Sequence, residues 1–412
     1  MFRTALALVC LAASLPLIAA PPDADKSAGA LLDLKAAVGG KPVSLEELAK
    51  KPFAAVPLTK TDAAKAREAI FNAYIANFPK DRKVEHEAKV LKDDKLEMPY
   101  TVAEFGKKPA AGRSMWISLH GGGGAPKEVN DKQWENQKKL YKLDEGFYIV
   151  PRAPTNTWNL WHEGHIDRLF AKLIENFVAL EGVNPDRVYV MGYSAGGDGV
   201  YQIAPRLADR WAGAAMMAGH PNDASPLNLR NVAFALQVGG NDNAYNRNKV
   251  AAEWAKKLDD LEKADAKGYK HFFKSYEGKG HWMDREDAVA LPWLAKTSRN
   301  PVPGRVVWEQ RGGQGRSYWL AIRNAENKGG LVIATVGKQT VTFTAVEKVK
   351  SRVHVLLDDR MVDLDGEIAF QHGTAEITKA MLGRRIGVMI RTLLERGDPK
   401  LMFDAEIALD LK

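Results

Sequence analysis

Cysteine is almost absent from this chain: Cys10 is the only one in 412 residues. That count excludes a disulfide-stapled scaffold. Cys10 follows Val9 inside an unfinished apolar stretch, whereas a lipid-attachment site wants a small residue before the cysteine. Strong charge of one sign is missing as well. The 59 basic and 51 acidic side chains leave +8, and the lysines are scattered, as at Lys256-Lys257 and Lys348 to Lys350, with acids beside them. A nucleic-acid partner would call for a basic stripe interleaved with stacking aromatics. None is present, so no nucleic acid is expected and the excess reads as a solvated basic surface with no assigned role. Internal repeats and low-complexity tracts are lacking too.

Long hydrophobic runs are scarce. The one candidate, Thr4 to Ala20, is uncharged and rich in Ala and Leu, but Pro16 interrupts it, and a membrane span needs about 20 apolar residues. With Arg3 before it and the small pair Ala19-Ala20 at its end, the segment reads as an export signal over residues 1–20. The expected mature protein is therefore periplasmic or extracellular, keeps no stable membrane anchor and contains no thiol. Cysteine nucleophiles and thiolate-ligated metals drop out with the disulfides. The 45% hydrophobic content excludes disorder.

What remains has two rhythms. Residues 21–44, rich in Pro, Ala, Gly and Lys, read as a mobile lead-in. Ser44 and Glu47 fit a capping box opening a short helix, and Ala64 to Phe78 carries Ile70, Tyr74 and Phe78 at helical spacing up to Pro79. These form an N-terminal region over 21–80. From there Val84 to Lys92 and Met98 to Phe105 alternate like an antiparallel strand pair. Short apolar runs follow, from Met115 to Leu119 through Phe272 to Tyr276, separated by helical segments such as Asp167 to Leu180. Buried strands alternating with helices predict an α/β fold over 81–299: a mostly parallel sheet with helices on both faces. Function in such sheets gathers on the loops at the carboxyl ends of the strands.

Thr297 to Gly304 is the clearest linker, and the pattern beyond it turns β. Strands are expected at Arg305 to Trp308, Tyr318 to Arg323 and Leu331 to Val336, with others to Ile368 to Phe370. A helix is expected over Ala375 to Glu395 and a last strand over Leu401 to Leu409. This predicts a smaller, mainly β accessory domain over 300–412.

Chemistry concentrates in four loops. Gly192-Tyr193-Ser194-Ala195-Gly196 follows the apolar strand Arg187 to Met191, and Gly197 continues the run of small residues. A nucleophile elbow needs this arrangement, because the serine sits on a sharp strand-to-helix turn where bulky neighbours would clash. His120 and the four glycines Gly121 to Gly124 follow another strand. Their backbone can approach a substrate and turn N–H groups toward a carbonyl oxygen that becomes negative. The N–H groups of Gly122 and Ala195 are the expected oxyanion donors, with Gly123 as substitute, and His120 is read as orienting the loop. A serine nucleophile needs a base, and the base an orienting acid. Ala233 to Val238 leads to Asp242, and Phe272 to Tyr276 leads to His281 at the tip of a Gly-rich loop. Asp198 lies on the helix after the elbow, and Asp284 is too close to His281 in sequence to orient it from a separate strand end.

On these four motifs, residues 84–296, about half the chain, resemble an α/β-hydrolase serine esterase. They are similar to the polyhydroxybutyrate-depolymerase and feruloyl-esterase group and to the phospholipase/carboxylesterase and dienelactone-hydrolase relatives. The resemblance implies a secreted hydrolase of carboxylic esters, small or polymeric, acting through an acyl-enzyme with no metal and no cofactor. Dienelactone hydrolases proper use a cysteine, and serine at 194 favours an ordinary esterase. The same triad and fold also serve serine peptidases of the prolyl-oligopeptidase type, although large N-terminal propeller blades are absent. A binding protein on a retired hydrolase scaffold is the third reading.

Substrate-side expectations fall on Trp158 and Trp161, on the loop after the strand Phe147 to Val150, on His220, and on Trp282 beside the expected base. Each has a structural alternative: the tryptophans as packing, His220 as the cap of the turn at Pro221. His162 and His165 are three apart, whereas the H-E-x-x-H zinc pattern needs four, so no metal is expected.

Overall fold

The computed structural model describes residues 22–40, 43–311, 315–323 and 329–411. The expected export signal, with Cys10, lies outside them. Among the described residues no helix is long and apolar enough to cross a membrane.

The chain opens with helices α1 (Ala24–Gly39), α2 (Leu45–Leu48), α3 (Lys60–Ala76) and α4 (Lys80–Ala88). Residues 24–39 are thus a helix rather than a mobile lead-in. Ala and Lys are strong helix formers, Asp23 caps the first turn, and Ala30, Leu31 and Leu34 form a buried stripe. Ser44 accepts from the Glu47 N–H at 3.1 Å, as the capping pattern predicts. The alternation in Val84 to Lys92 proved misleading. Most of it is the exposed helix α4, and pairing begins only at β1 (Val90–Asp93), after Lys89 turns the chain in the left-handed region.

Then come β2 (Leu96–Phe105), β3 (Met115–Leu119), α5 (Lys127–Gln137), β4 (Gly146–Pro151), α6 (Gly164–Leu180), β5 (Val188–Tyr193), α7 (Ala195–Arg206), β6 (Gly213–Met217), β7 (Ala233–Gly239), α8 (Arg247–Ala264), β8 (His271–Tyr276) and α9 (Ala290–Leu294). The eight strands form one sheet in the order β1-β2-β4-β3-β5-β6-β7-β8. The β1–β2 and β2–β4 pairs are antiparallel and all the others parallel. Strands β3 to β7 are buried along their whole length, which is why they read as continuous apolar runs instead of alternating ones.

The remainder comprises β9 (Arg305–Glu309), β10 (Arg316–Ser317), β11 (Leu320–Ala321), β12 (Leu331–Gly337), β13 (Thr340–Glu347), β14 (Val353–Leu357), β15 (Ile368–His372), β16 (Ala375–Ala380), α10 (Ile386–Leu394) and β17 (Ala405–Leu409). It forms a four-stranded sheet, β10-β11-β14-β17, and a five-stranded one, β16-β15-β13-β12-β9. The helix expected over Ala375 to Glu395 is divided. Gly373, at φ 59°, turns the chain so that β16 pairs back on β15, and only residues from Ile386 onward are helical. The expected strand Tyr318 to Arg323 shrinks to Leu320–Ala321 because Tyr318 takes φ 52°. Trp308, Tyr318 and Trp319 are buried in the core.

Two packing features were invisible in sequence. Leu34, Leu48 and Ile70 of the N-terminal helices share one apolar core with Ile386, Met389, Ile390 and Leu393 of α10. The N-terminal helices and α10 therefore complete one core between them. The linker is also pinned: buried Arg299 bridges Asp186 and Asp398, each at 2.7 Å.

Candidate active site

Ser194 occupies the turn between β5 and α7 with φ 58° and ψ −122°. This conformation is costly for a residue with a Cβ, and the packing around it explains the flanking glycines. A Cβ on Gly192 would sit 2.2 Å from the Gly196 carbonyl oxygen, and one on Gly196 2.2 Å from that of Leu119. Only glycine lets the strand, the turn and the helix close this tightly.

Three strand-end loops converge on that turn. His281 Nε2 lies 2.9 Å from Ser194 Oγ, and His281 Nδ1 lies 2.7 Å from Asp242 Oδ2. The Asp242 side chain is 1% exposed and that of His281 42%. The carboxylate is thus shielded from water while the imidazole faces the cleft. Arg247 approaches the other Asp242 oxygen at 3.8 Å. Asp198 stands apart from this chain of contacts: it accepts the His220 N–H at 2.6 Å, and burial pushes its carboxyl up.

The glycine loop lies against the serine, since a Cβ on Gly121 would come within 3.2 Å of Ser194 Cβ. Gly122 takes φ 107°, and Ala195 is the first residue of α7, where a backbone N–H has no intrahelical acceptor. Gly123 cannot act as a substitute donor, because its N–H is held by Asn130 Oδ1 at 2.8 Å. His120 is buried beneath the loop. Its Nε2 accepts the Ala153 N–H at 3.1 Å, leaving Nδ1–H to donate to the Gly121 carbonyl at 2.6 Å. Burial drives its pKa down to about 4, so the ring stays neutral and orients the loop.

The serine and histidine open into a cleft of about 760 Å³. Trp282 lines it, half-exposed, with its ring 5.6 Å from that of Tyr193. Trp161 does not line it: the side chain is buried, and its indole N–H donates to the His120 carbonyl at 3.0 Å. His220 is turned into its own turn, where Nδ1 accepts the Asn222 N–H at 3.0 Å, which is the capping alternative. Trp158 is 63% exposed and packs beside Gly124, outside the cleft wall.

Further residues that no sequence motif marks shape the site. Tyr193 donates to the His281 carbonyl at 2.7 Å and accepts the Met283 N–H at 3.0 Å, tying the elbow to the histidine loop. Gln133 and Asn136, on α5, line the cleft with Lys139, Leu140 and Arg285. The amides Asn130, Gln133 and Gln137 recur at three- and four-residue spacing, and that polar stripe was the available signal. Among the described residues, Asp259, Glu262 and His271 bring possible metal-ligand atoms together. They are absent from the cleft wall.

Neither a family model nor a curated protein matches this sequence. Solved structures do resemble part of it. A thermostable esterase is 17% identical with a TM-score of 0.37, over 51% of this chain and 62% of its own. A ferulic acid esterase is 16% identical with a TM-score of 0.33, over 50% of this chain and 99% of its own. A carboxylesterase from Mesorhizobium loti shows the same identity and TM-score over the same shares. In this chain itself, the eight-stranded, mostly parallel sheet and the strained serine turn after its fifth strand define an α/β-hydrolase architecture, joined to smaller β sheets.

Proposed function

We propose that this protein is an exported serine hydrolase of carboxylic esters. One observation carries the reading: the continuous contact Ser194 Oγ, His281, Asp242, at 2.9 and 2.7 Å, set on a strained elbow that faces an open cleft. His281 Nε2 takes the hydroxyl proton as Ser194 Oγ bonds to the substrate carbonyl carbon. The carbonyl oxygen becomes an oxyanion, met by the N–H groups of Gly122 and Ala195. As the intermediate collapses, the C–O bond to the alcohol breaks and His281 returns the proton to the leaving oxygen. Water, deprotonated by the same ring, attacks the acyl-serine, and the second collapse releases the acid and restores Ser194. Asp242 holds the imidazole with Nδ1–H toward itself and stabilises its cationic form. The uncharged stretch Thr4 to Ala20 behind Arg3 supports export.

The test is hydrolysis of a short activated ester by the mature chain and by Ser194→Ala, together with fluorophosphonate labelling. Wild type is expected to turn over and to be labelled at Ser194, with activity falling about 10⁴-fold or more in the variant. Undiminished hydrolysis by Ser194→Ala, or a wild-type chain inert to both probes, would overturn the reading.

A further inference from the structure

The wall of the cleft is electrically one-sided. Lys139 and Arg285 both line it beside Ser194 and His281, and its lining contains no Asp or Glu. Both side chains are exposed, and among the described residues neither takes part in an ion pair or side-chain hydrogen bond. Their freedom is arranged by their neighbours. Arg285 is flanked in sequence by Asp284 and Glu286, and Lys279 holds both, at 2.6 and 3.0 Å. On the facing segment Glu135 is taken by Lys138, whose ammonium also sits over the Trp134 ring at 3.5 Å. Lys139 is left with no counter-ion.

Asp284 and Arg285 take φ 54° and 66°, two consecutive non-glycine residues in the left-handed region. Such strain persists only where the surrounding structure enforces it. Tyr193 ties the preceding residues of that loop to the elbow through the His281 carbonyl and the Met283 N–H. Lys139, Leu140 and Arg285 also border a second cavity of about 640 Å³, so the two cations stand on the ridge between the cavities. Of the two cavities only the second is lined by acids, exposed Asp144 and half-buried Glu145, the latter held by Arg187 at 3.0 Å.

We infer that the site takes esters bearing a carboxylate remote from the scissile bond, with that carboxylate seated against Lys139 and Arg285. The inference rests on the ester-hydrolase reading of the same cleft and adds the charge of the substrate. Each cation–anion contact near a wet surface is modest, but two act together, and a cleft without acids offers no competing partner.

Two nearly isosteric pairs test this by titration of released acid: monomethyl adipate against methyl hexanoate, and 5-acetoxypentanoate against pentyl acetate. In at least one pair the anionic ester is expected to show about tenfold higher kcat/KM at an ionic strength of about 0.01 M. That ratio should shrink toward unity near 1 M, where the screening length falls from about 30 to about 3 Å. The double variant Lys139→Gln/Arg285→Gln should bring the ratio near unity without salt. Fluorophosphonate labelling in the same preparations separates the two levels of failure. A labelled, active enzyme that is indifferent to the carboxylate in both pairs, or whose preference survives the double variant, overturns this inference alone. A chain neither labelled nor active overturns it together with the ester-hydrolase reading.

Discussion

The Tyr193 hydroxyl donates to the His281 main-chain carbonyl at 2.7 Å while accepting the Met283 N–H at 3.0 Å. One side chain from the elbow thus fixes the loop that carries the proposed base, and does so without touching the imidazole nitrogens. Tyr193→Phe keeps the ring against Trp282 and removes only these two bonds. It is expected to cost about 1–3 kcal/mol of stability, because the Met283 N–H loses its partner. It should also lower kcat about tenfold with little change in KM. Denaturant unfolding and ester kinetics check the two effects, and a normal kcat in a destabilised variant would show the tyrosine to be structural alone.

Asp242→Asn preserves the shape of the side chain that lies 2.7 Å from His281 Nδ1 but removes its charge. The amide cannot stabilise imidazolium and favours the wrong tautomer. The expected loss is about 10³–10⁴-fold in kcat for a short ester, with the fold intact by circular dichroism. Retention of more than about a tenth of the activity would remove Asp242 from the mechanism.

His120 is expected to make stability depend on pH. Its folded pKa is depressed to about 4, from an ordinary value of 6.5, chiefly by burial. The neutral ring contributes fully above pH 6.5. As the pH falls from there toward 4, the unfolded chain binds a proton that the folded one refuses, and stability drops by up to about 3 kcal/mol. His120→Gln should be less stable at pH 7 but lose less between pH 6.5 and 4. Parallel pH profiles in urea unfolding would exclude this residue as the source.

The N-terminal helices are expected to be structural. Leu34 is fully buried in the core shared with α10, so Leu34→Ala should cost about 2–5 kcal/mol through lost contacts and a residual cavity. An unfolding midpoint within error of wild type would mean that α1 contributes little to the folded state.

Local patterning determined a good deal. The glycines around Ser194 and the strand before it were legible because the elbow is a backbone requirement met by adjacent residues. Continuous apolar runs announced buried parallel strands for a similar reason: the burial pattern of a strand is written in its own residues. Elsewhere local pattern was insufficient. Residues 84–88 and 375–380 have periodicities that suit either element, and the choice between helix and strand fell to whichever partner lay alongside.

Tertiary structure decided the rest, because residue spacing alone does not say which of several available partners a donor, a ring or a charge will take. The Gly123 N–H is spent on Asn130, Trp161 is sealed beneath the glycine loop, and α1 meets a helix that begins at Ile386. Which cations remain unpaired is the clearest case. The sequence shows 59 basic residues of nearly equal standing. Only the fold, by giving Asp284 and Glu286 to Lys279 and Glu135 to Lys138, leaves Arg285 and Lys139 free on one wall of the cleft.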